Sequence, residues 1–588
     1  MLGKISEIID NQVFLRLTID INNQSNLVNI HVVFEDGTKK IVGEIVNVNQ
    51  KQMIINIVGE IKNNQFFPGF SSKPSFKSNV RMISLPELEM IFGKQSPSNG
   101  QTFFGYSNVY QNYRINVDIN KFFNQHFSII GNSGSGKSCT VASVIQKLFT
   151  STPNAPLKSN IFLFDAFGEY TNAFSTLKEK NQSLNYKVYT TNTSYEDTDI
   201  LKIPVWLLDI DDLALLLDVT SPNQLPIIEK TLKLVPILTG PENEVIKYKN
   251  DIIARALEDI LLSGSNSTKI RDQVIAILTK FNTSQLNLES QIVQPGYVRT
   301  LKQCLFIDKS GKFQEIELVT EFIRSFINSE AETNLNKDHK QCYYTLANLE
   351  EALEFALISE GILKSEKVYD EANVLSVRLH SLANSNNRVF FEYPKYIDRN
   401  GFVADLLTDR LTGKKCQIIN FNINYVDDRL AKALTKIISK MIYSLAVENG
   451  NRGSIPFHIL IEEAHRYVQK DKDIDILGYN IFERIAKEGR KYGVFLGLIT
   501  QRPSELSDTT ISQCANFLIL RTIHPKDLDY IRNMVPNISN EVLQQIKSLQ
   551  SGNCVAFGTA FKVPTSMYIE FPNPSPNSND VDLKATWY

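Results

Sequence analysis

No cysteine pair in this chain has CxxC spacing, and the six cysteines, at 139, 304, 342, 416, 514 and 554, are scattered without a repeated Cys/His ligand pattern. That scatter excludes a zinc ribbon or finger and a disulfide framework, and points to a reducing compartment. Long apolar runs are missing as well. No stretch reaches the roughly 18 apolar residues that cross a bilayer, and the opening MLGKISEIIDNQVFL alternates apolar with polar residues where a leader would pair a basic start with an apolar run. A cytoplasmic protein without membrane contact is expected. Charge of one sign is absent too: 62 Lys plus Arg face 64 Asp plus Glu, a formal net charge of −2. Whole-surface attraction to nucleic acid is excluded, so any polyanion contact must be local. Internal repeats of solenoid length are also absent.

What is there is a long, ordinary globular composition. At 588 residues, with 43% apolar and 21% charged, the chain is too long for one core and divides into two or three domains. From about Ile5 to Ile61 the sequence alternates with period two (IHVVF, IVGEIVNV, MIINIVGEI), with turn signals at Asp36-Gly37 and Asn49-Gln50, and residues 1–95 are expected to form a small N-terminal β-barrel. An α/β core follows at 96–204, opening on the apolar strand HFSIIG at 126–131. Residues 205–400 turn helical and read as an insertion, after which strands and helices alternate again at 401–562. The segment 563–588, rich in Pro, Asn and Ser, is too polar for a further core and is expected to drape over the rest as a tail.

The chemistry is concentrated at a few strand ends. Gly131, Asn132, Ser133, Gly134, Ser135, Gly136, Lys137 and Ser138 match GxxxxGK[ST], with Cys139 and Thr140 opening the helix behind. The glycines let backbone N–H groups curl round a phosphate chain, Lys137 reaches the β- and γ-phosphates, and Ser138 offers its hydroxyl to Mg²⁺. ATP and Mg²⁺ are therefore the expected ligands. A Gly/Ser surface loop could match the pattern by chance, but the strand–loop–helix setting argues against that. FHILIEEAH places Glu462 and Glu463 at the mouth of a buried strand. Glu462 is assigned to Mg²⁺ through water and Glu463 to polarising the attacking water, although acids at a strand end are common on their own. Gln501 ends the strand FLGLIT as a γ-phosphate sensor. Arg490 and Lys491 read first as the solvated cationic end of a helix, and Arg521 is a second arginine able to approach phosphate. Lys470 and Lys472 sit in a mixed Lys/Asp loop, more often plain surface than a DNA contact. A P-loop kinase or GTPase is disfavoured by the tandem glutamates, by Gln501 and by the lack of an NKxD-type tetrad.

Taken in order, the phosphate loop, DAFGEY, LIEEAH, EGRKYG and ITQRPSEL resemble the HerA branch of the HerA/FtsK ATPases, and the likeness spans nearly the whole chain. The resemblance implies a RecA-like P-loop ATPase core with a helical insertion behind a small barrel. It also implies a homo-oligomer, usually a hexameric ring, that hydrolyses ATP between neighbouring subunits and passes double-stranded DNA through its pore. Arg490 then becomes a trans-acting finger on the neighbour's γ-phosphate, with Arg521 the alternate. Asp165 and Glu169 match the family's acidic DxxGEY signature, Glu169 as an aid to water or metal and Asp165 as a strand-end cap. HerA-like proteins are paired with the nuclease NurA, and bacterial relatives with nuclease or sirtuin-like effectors in antiviral defence, so a separate effector partner, docking on the barrel, is expected. A second reading by the same resemblance is an oligomeric ATPase scaffold that regulates such an effector.

Overall fold

The computed structural model describes residues 2–18, 27–151, 155–196, 199–328, 342–359, 366–535, 538, 540–578 and 583–587. The chain forms two compact units: one from 1–192, 403–471 and 480–588, the other from 193–402 and 472–479.

The first unit opens with seven strands, β1 (Gly3–Ile9), β2 (Gln12–Leu17), β3 (His31–Asp36), β4 (Lys39–Val48), β5 (Gln52–Lys62), β6 (Gln65–Pro68) and β7 (Asn79–Met82). They make one antiparallel sheet in the order β1-β2-β5-β4-β3-β7, with β6 on β5. Every second residue of β5 is buried, which follows from its apolar/polar alternation. The expected turn falls at Gly37 (φ +61°), between the paired Asp36 and Lys39. The sheet curls but only partly closes: its ends are joined by the Leu2 N–H donating to the Val80 carbonyl at 2.8 Å, with no ladder between β1 and β7 among the described residues. It is a half-barrel where a full barrel was expected.

The larger sheet contains β8 (Gln101–Ser107), β9 (Arg114–Asp118), β10 (His126–Ile130), β11 (Ile161–Asp165) and β12 (Tyr186–Thr190) before the second unit. A hairpin, β13 (Gln291–Gln294) and β14 (Tyr297–Thr300), lies inside the second unit. After it come β15 (Ile418–Asn422), β16 (Phe457–Ile461), β17 (Val494–Thr500), β18 (Cys514–Ile519), β19 (Asn553–Gly558) and β20 (Thr565–Tyr568). Eleven of these join in the order β12-β15-β11-β16-β17-β10-β18-β19-β20-β8-β9. From β12 to β18 every pairing is parallel, and from β18 to β9 every pairing is antiparallel. The parallel half is apolar on both faces, so β10, β11, β15 and β17 are buried throughout. The helix Lys137–Thr150 packs its apolar residues into that core. Residues 565–568 of the expected tail enter the sheet as β20, so only the residues beyond β20 drape over the unit.

The second unit is mainly helical, with long helices at Leu225–Leu238, Glu242–Leu261, Ser267–Lys280 and Leu346–Ser359. Its hairpin β13–β14, turned by Pro295 and Gly296 (φ +95°), was not anticipated in the helical reading of 205–400. Among the described residues no helix is long and apolar enough to cross a membrane.

Candidate nucleotide-binding site

The phosphate loop leaves β10 and is stitched between the ends of its two neighbours. The Gly131 N–H donates to the Thr500 carbonyl of β17 at 3.1 Å, and the Asn132 N–H donates to the Arg521 carbonyl, two residues past β18, at 3.0 Å. Gly134 and Gly136 hold φ +72° and +88°, the left-handed region where a side chain is strained. The helix behind starts at Lys137 with Gly136 as N-cap and no side-chain cap, so its first N–H groups are left for an anion. The turn at Ser551-Gly552 closes the loop from the other side: the Gly552 N–H donates to the Ser135 carbonyl at 3.1 Å, and a Cβ on Gly136 would lie 3.2 Å from Ser551 Oγ.

The acidic strand end meets this loop. Lys137 Nζ donates to Glu463 Oε1 at 2.7 Å, and both side chains are more than 90% buried. Glu463 has φ +45°, rare for a non-glycine residue and typical of strain kept at functional sites. His465 Nδ1 lies 3.3 Å from Glu463 Oε2 and 3.2 Å from Thr500 Oγ1, and burial lowers the imidazole pKa. Gln501 Oε1 accepts the Ser133 hydroxyl at 3.0 Å, which ties the end of β17 directly to the loop.

Glu462 points elsewhere. It is fully buried, Oε2 accepts the Ala166 N–H at 3.2 Å, and its carboxyl is hydrogen-bonded to Asp165. Burial, then the charges of Asp165 and Glu169, push its pKa well above its ordinary value. Asp165 also accepts the N–H groups of Glu169 (3.0 Å) and Tyr170 (2.9 Å) and the Asn420 amide (3.1 Å), the bonding of a strand-end cap. Glu169 lies close to the Ser138 hydroxyl, burial raises its pKa, and its Oε2 is buried without a hydrogen-bond partner. Among the described residues no group of three His, Cys, Asp or Glu side chains forms a ready-made metal cage. The donor set nevertheless fits Mg²⁺, which takes one or two hard protein oxygens and otherwise water and phosphate: Ser138 with Glu169 against it and Glu462 behind.

The two arginines lie at opposite ends of the strands. Arg521 Nη2 lies 4.0 Å from a Cβ built on Gly134, which puts this arginine beside the loop of its own chain. Arg490 is exposed in the last turn of the helix Ile481–Tyr492, which Asn480 caps and Gly493 (φ +80°) ends. It faces His126 at the start of β10, where its charge, after burial, helps hold that imidazole near 4. The five residues of β10, about 16 Å at ~3.3 Å per residue, separate that edge from Gly131. Lys470 Nζ donates to Asp508 at 2.5 Å in a solvent-exposed pair. Ser551, Gly552 and Arg521's nearness to Gly134 were not visible as site features in the sequence. A Ser-Gly turn marks itself, but nothing local says which loop it meets.

Compared with known proteins, residues 104–305 match the family model described as the helicase HerA central domain. A probable helicase of Methanocaldococcus jannaschii is 25% identical over 507 residues, 84% of this chain and 76% of that protein. The DNA double-strand break repair helicase HerA of Pyrococcus furiosus is 23% identical over 533 residues, 90% of this chain and 79% of that one. Among solved structures, VirB4 of Thermoanaerobacter pseudethanolicus superposes with a TM-score of 0.41 at 13% identity, over 81% of this chain and 97% of that one.

Proposed function

We propose that this chain, a HerA-type ATPase that carries the HerA central domain and is similar to HerA helicases along most of its length, is a ring-forming motor that uses ATP to move along double-stranded DNA. The observation that carries the reading is the Lys137–Glu463 contact at 2.7 Å, which brings the phosphate-binding cation and the water-polarising carboxylate to one point. In this mechanism the N–H groups of 131–138 and Lys137 bind the β- and γ-phosphates. Glu463, released from Lys137 when phosphate takes the ammonium, orients and polarises the attacking water. Mg²⁺, held by the Ser138 hydroxyl with Glu169 and Glu462 around it, supplies neutralising charge at the phosphate oxygens when bound. Gln501, already bonded to Ser133, reports the state of the loop to β17.

Arg490 supports the oligomer. An exposed cation a whole strand away from its own loop cannot act there, but in a head-to-tail ring it can be presented to the next copy's γ-phosphate. The hexameric count, a separate nuclease or sirtuin-like effector and an antiviral setting belong to the same proposal and rest on the resemblance. The scaffold reading is favoured by one observation: Lys470, in the loop after the acidic strand, already has a carboxylate partner of its own chain in Asp508 at 2.5 Å.

The test is ATP turnover with and without duplex DNA for wild type, Lys137→Ala, Glu463→Gln and Arg490→Ala, with mass by light scattering. The motor reading expects a ring, DNA-stimulated turnover and three inactive variants that still assemble. Turnover indifferent to DNA but responsive to a co-encoded effector would replace it with the scaffold.

A further inference from the structure

Beyond β20 the segment 569–578 leaves the sheet and runs back along the phosphate-loop helix toward its first turn. Glu570 pairs with Lys147. Gln146, only 5% exposed, uses its whole amide on what crosses it: Nε2 donates to the Pro574 carbonyl at 2.8 Å and to the Ala173 carbonyl at 2.7 Å, and Oε1 accepts the Asn573 N–H at 3.0 Å. One side chain thus ties the helix, the strap and the segment following β11 together. At the far end the Asn577 N–H donates to the Glu169 carbonyl at 2.8 Å, and the Ser578 side chain lies near the Cys139 thiol. The strap therefore ends beside the residue after Ser138 and against Glu169, whose carboxylate lies close to the Ser138 hydroxyl.

The strap is anchored in the core at its start by Ile569, but beyond that only Pro572 and Pro576 are buried and Phe571 is 68% exposed, so past Ile569 polar bonds do most to fix its course. These bonds converge on both flanks of Ser138. Glu169 Oε2, buried and without a partner, is the unspent acceptor they hold in place.

We propose that the strap 569–578 is a positioning element for the metal side of the site: through Gln146 and the Asn577 amide it fixes Glu169 beside Ser138, and Glu169 serves the Mg²⁺ of the bound nucleotide. The proposal rests on reading the loop as an ATP site. Outer residues that orient a ligand commonly change metal affinity without touching the rest of the ligand, so the strap should act on the metal-dependent part of binding alone.

The experiment measures the affinity of the full chain for a fluorescent ADP analogue, with Mg²⁺ and with EDTA, for wild type, Gln146→Ala, Asn577→Pro and Glu169→Gln, beside thermal melting. Asn577→Pro removes the amide donor and fixes the backbone at an exposed residue without opening a cavity, so it carries the test if Gln146→Ala melts early. The expected result is that the gain in affinity on adding Mg²⁺ shrinks about tenfold in all three variants, while affinity in EDTA stays near wild type. Half-saturating Mg²⁺ for ATP turnover should rise in parallel. An undiminished Mg²⁺ gain in folded variants overturns the proposal, and so does an equal loss with and without Mg²⁺, which would make the strap a plain support of the loop. Wild type that binds no nucleotide under either condition would instead remove the ATP reading beneath it.

Discussion

At the scale of single residues, the site is built from positions whose backbone tolerates few alternatives. Glu463 sits at φ +45° with its carboxylate on Lys137, so Glu463→Gln keeps the shape while removing the charge that polarises water. Nucleotide affinity is expected to stay within a few-fold of wild type while turnover falls about 10²–10⁴-fold, read by single-turnover hydrolysis beside a binding titration. Gly136→Ala is a different kind of lesion, because φ +88° strains any Cβ and this one would lie 3.0 Å from the Gly552 nitrogen. Loss of nucleotide binding and about 1–3 kcal/mol of stability are expected, checked by denaturant unfolding. Lys137, Ser138, Glu463 and Gln501 were legible because each follows an apolar strand at the offset that puts it on the sheet's carboxyl edge. Ser551 and Asn577 were not, since their importance comes only from the loop that the fold lays beside them. The pairing of Glu462 with Asp165, rather than with Lys137, was equally hidden, because neighbours at a strand end leave in different directions.

At the scale of elements, the parallel half of the sheet could be read from continuous apolar runs, while the antiparallel half could not. β8, β9, β19 and β20 are interrupted by polar residues and sit at both ends of the chain, where no local pattern says that they pair. The central strand β17 makes the packing argument testable. A Cβ on Gly497 would lie 2.4 Å from Leu460 Cδ2 and 2.7 Å from Phe127 Cζ, in a layer with no slack. Gly497→Val is expected to destabilise the unit by about 1–3 kcal/mol, seen as a lower urea midpoint with an unchanged slope. The N-terminal sheet carries its own device. Glu44 stands at a cleft of about 1730 Å³ facing Glu541, opposite His31 and near Tyr110, and burial followed by the Glu541 charge raises its pKa to about 7. Because the folded value lies above the ordinary 4.5, stability is present below pH 4.5 and falls as pH rises to about 7. Part of the side chain reaches solvent, so the effect is put at on the order of 1 kcal/mol. Glu44→Gln should melt higher than wild type at pH 8 and equally at pH 4.5.

At the scale of the whole molecule, the position of Arg490 decides whether one chain is a complete enzyme. The arginine is exposed at the amino edge of the strands and the phosphate loop lies at their carboxyl edge, so no rotamer brings the two together within one chain. Two copies can do so if the amino edge of one faces the loop of the next. Lys137→Ala and Arg490→Ala should then each abolish turnover alone, and for different reasons: the first has a dead loop beside an intact finger, the second an intact loop facing no finger. Mixed and allowed to exchange subunits, they create interfaces in which an Arg490→Ala copy offers its loop to the Arg490 of a Lys137→Ala copy, and such an interface contains every part. For random mixing at equal amounts about a quarter of interfaces have this composition, so turnover should reappear at up to roughly a quarter of the wild-type value per chain, provided interfaces fire independently. Tightly coupled firing would lower that fraction without abolishing it. If the mixture stays inactive although light scattering and tagged pull-down show mixed assemblies, Arg490 does not act across the interface, and the chain's own Arg521, already beside Gly134, becomes the arginine to test.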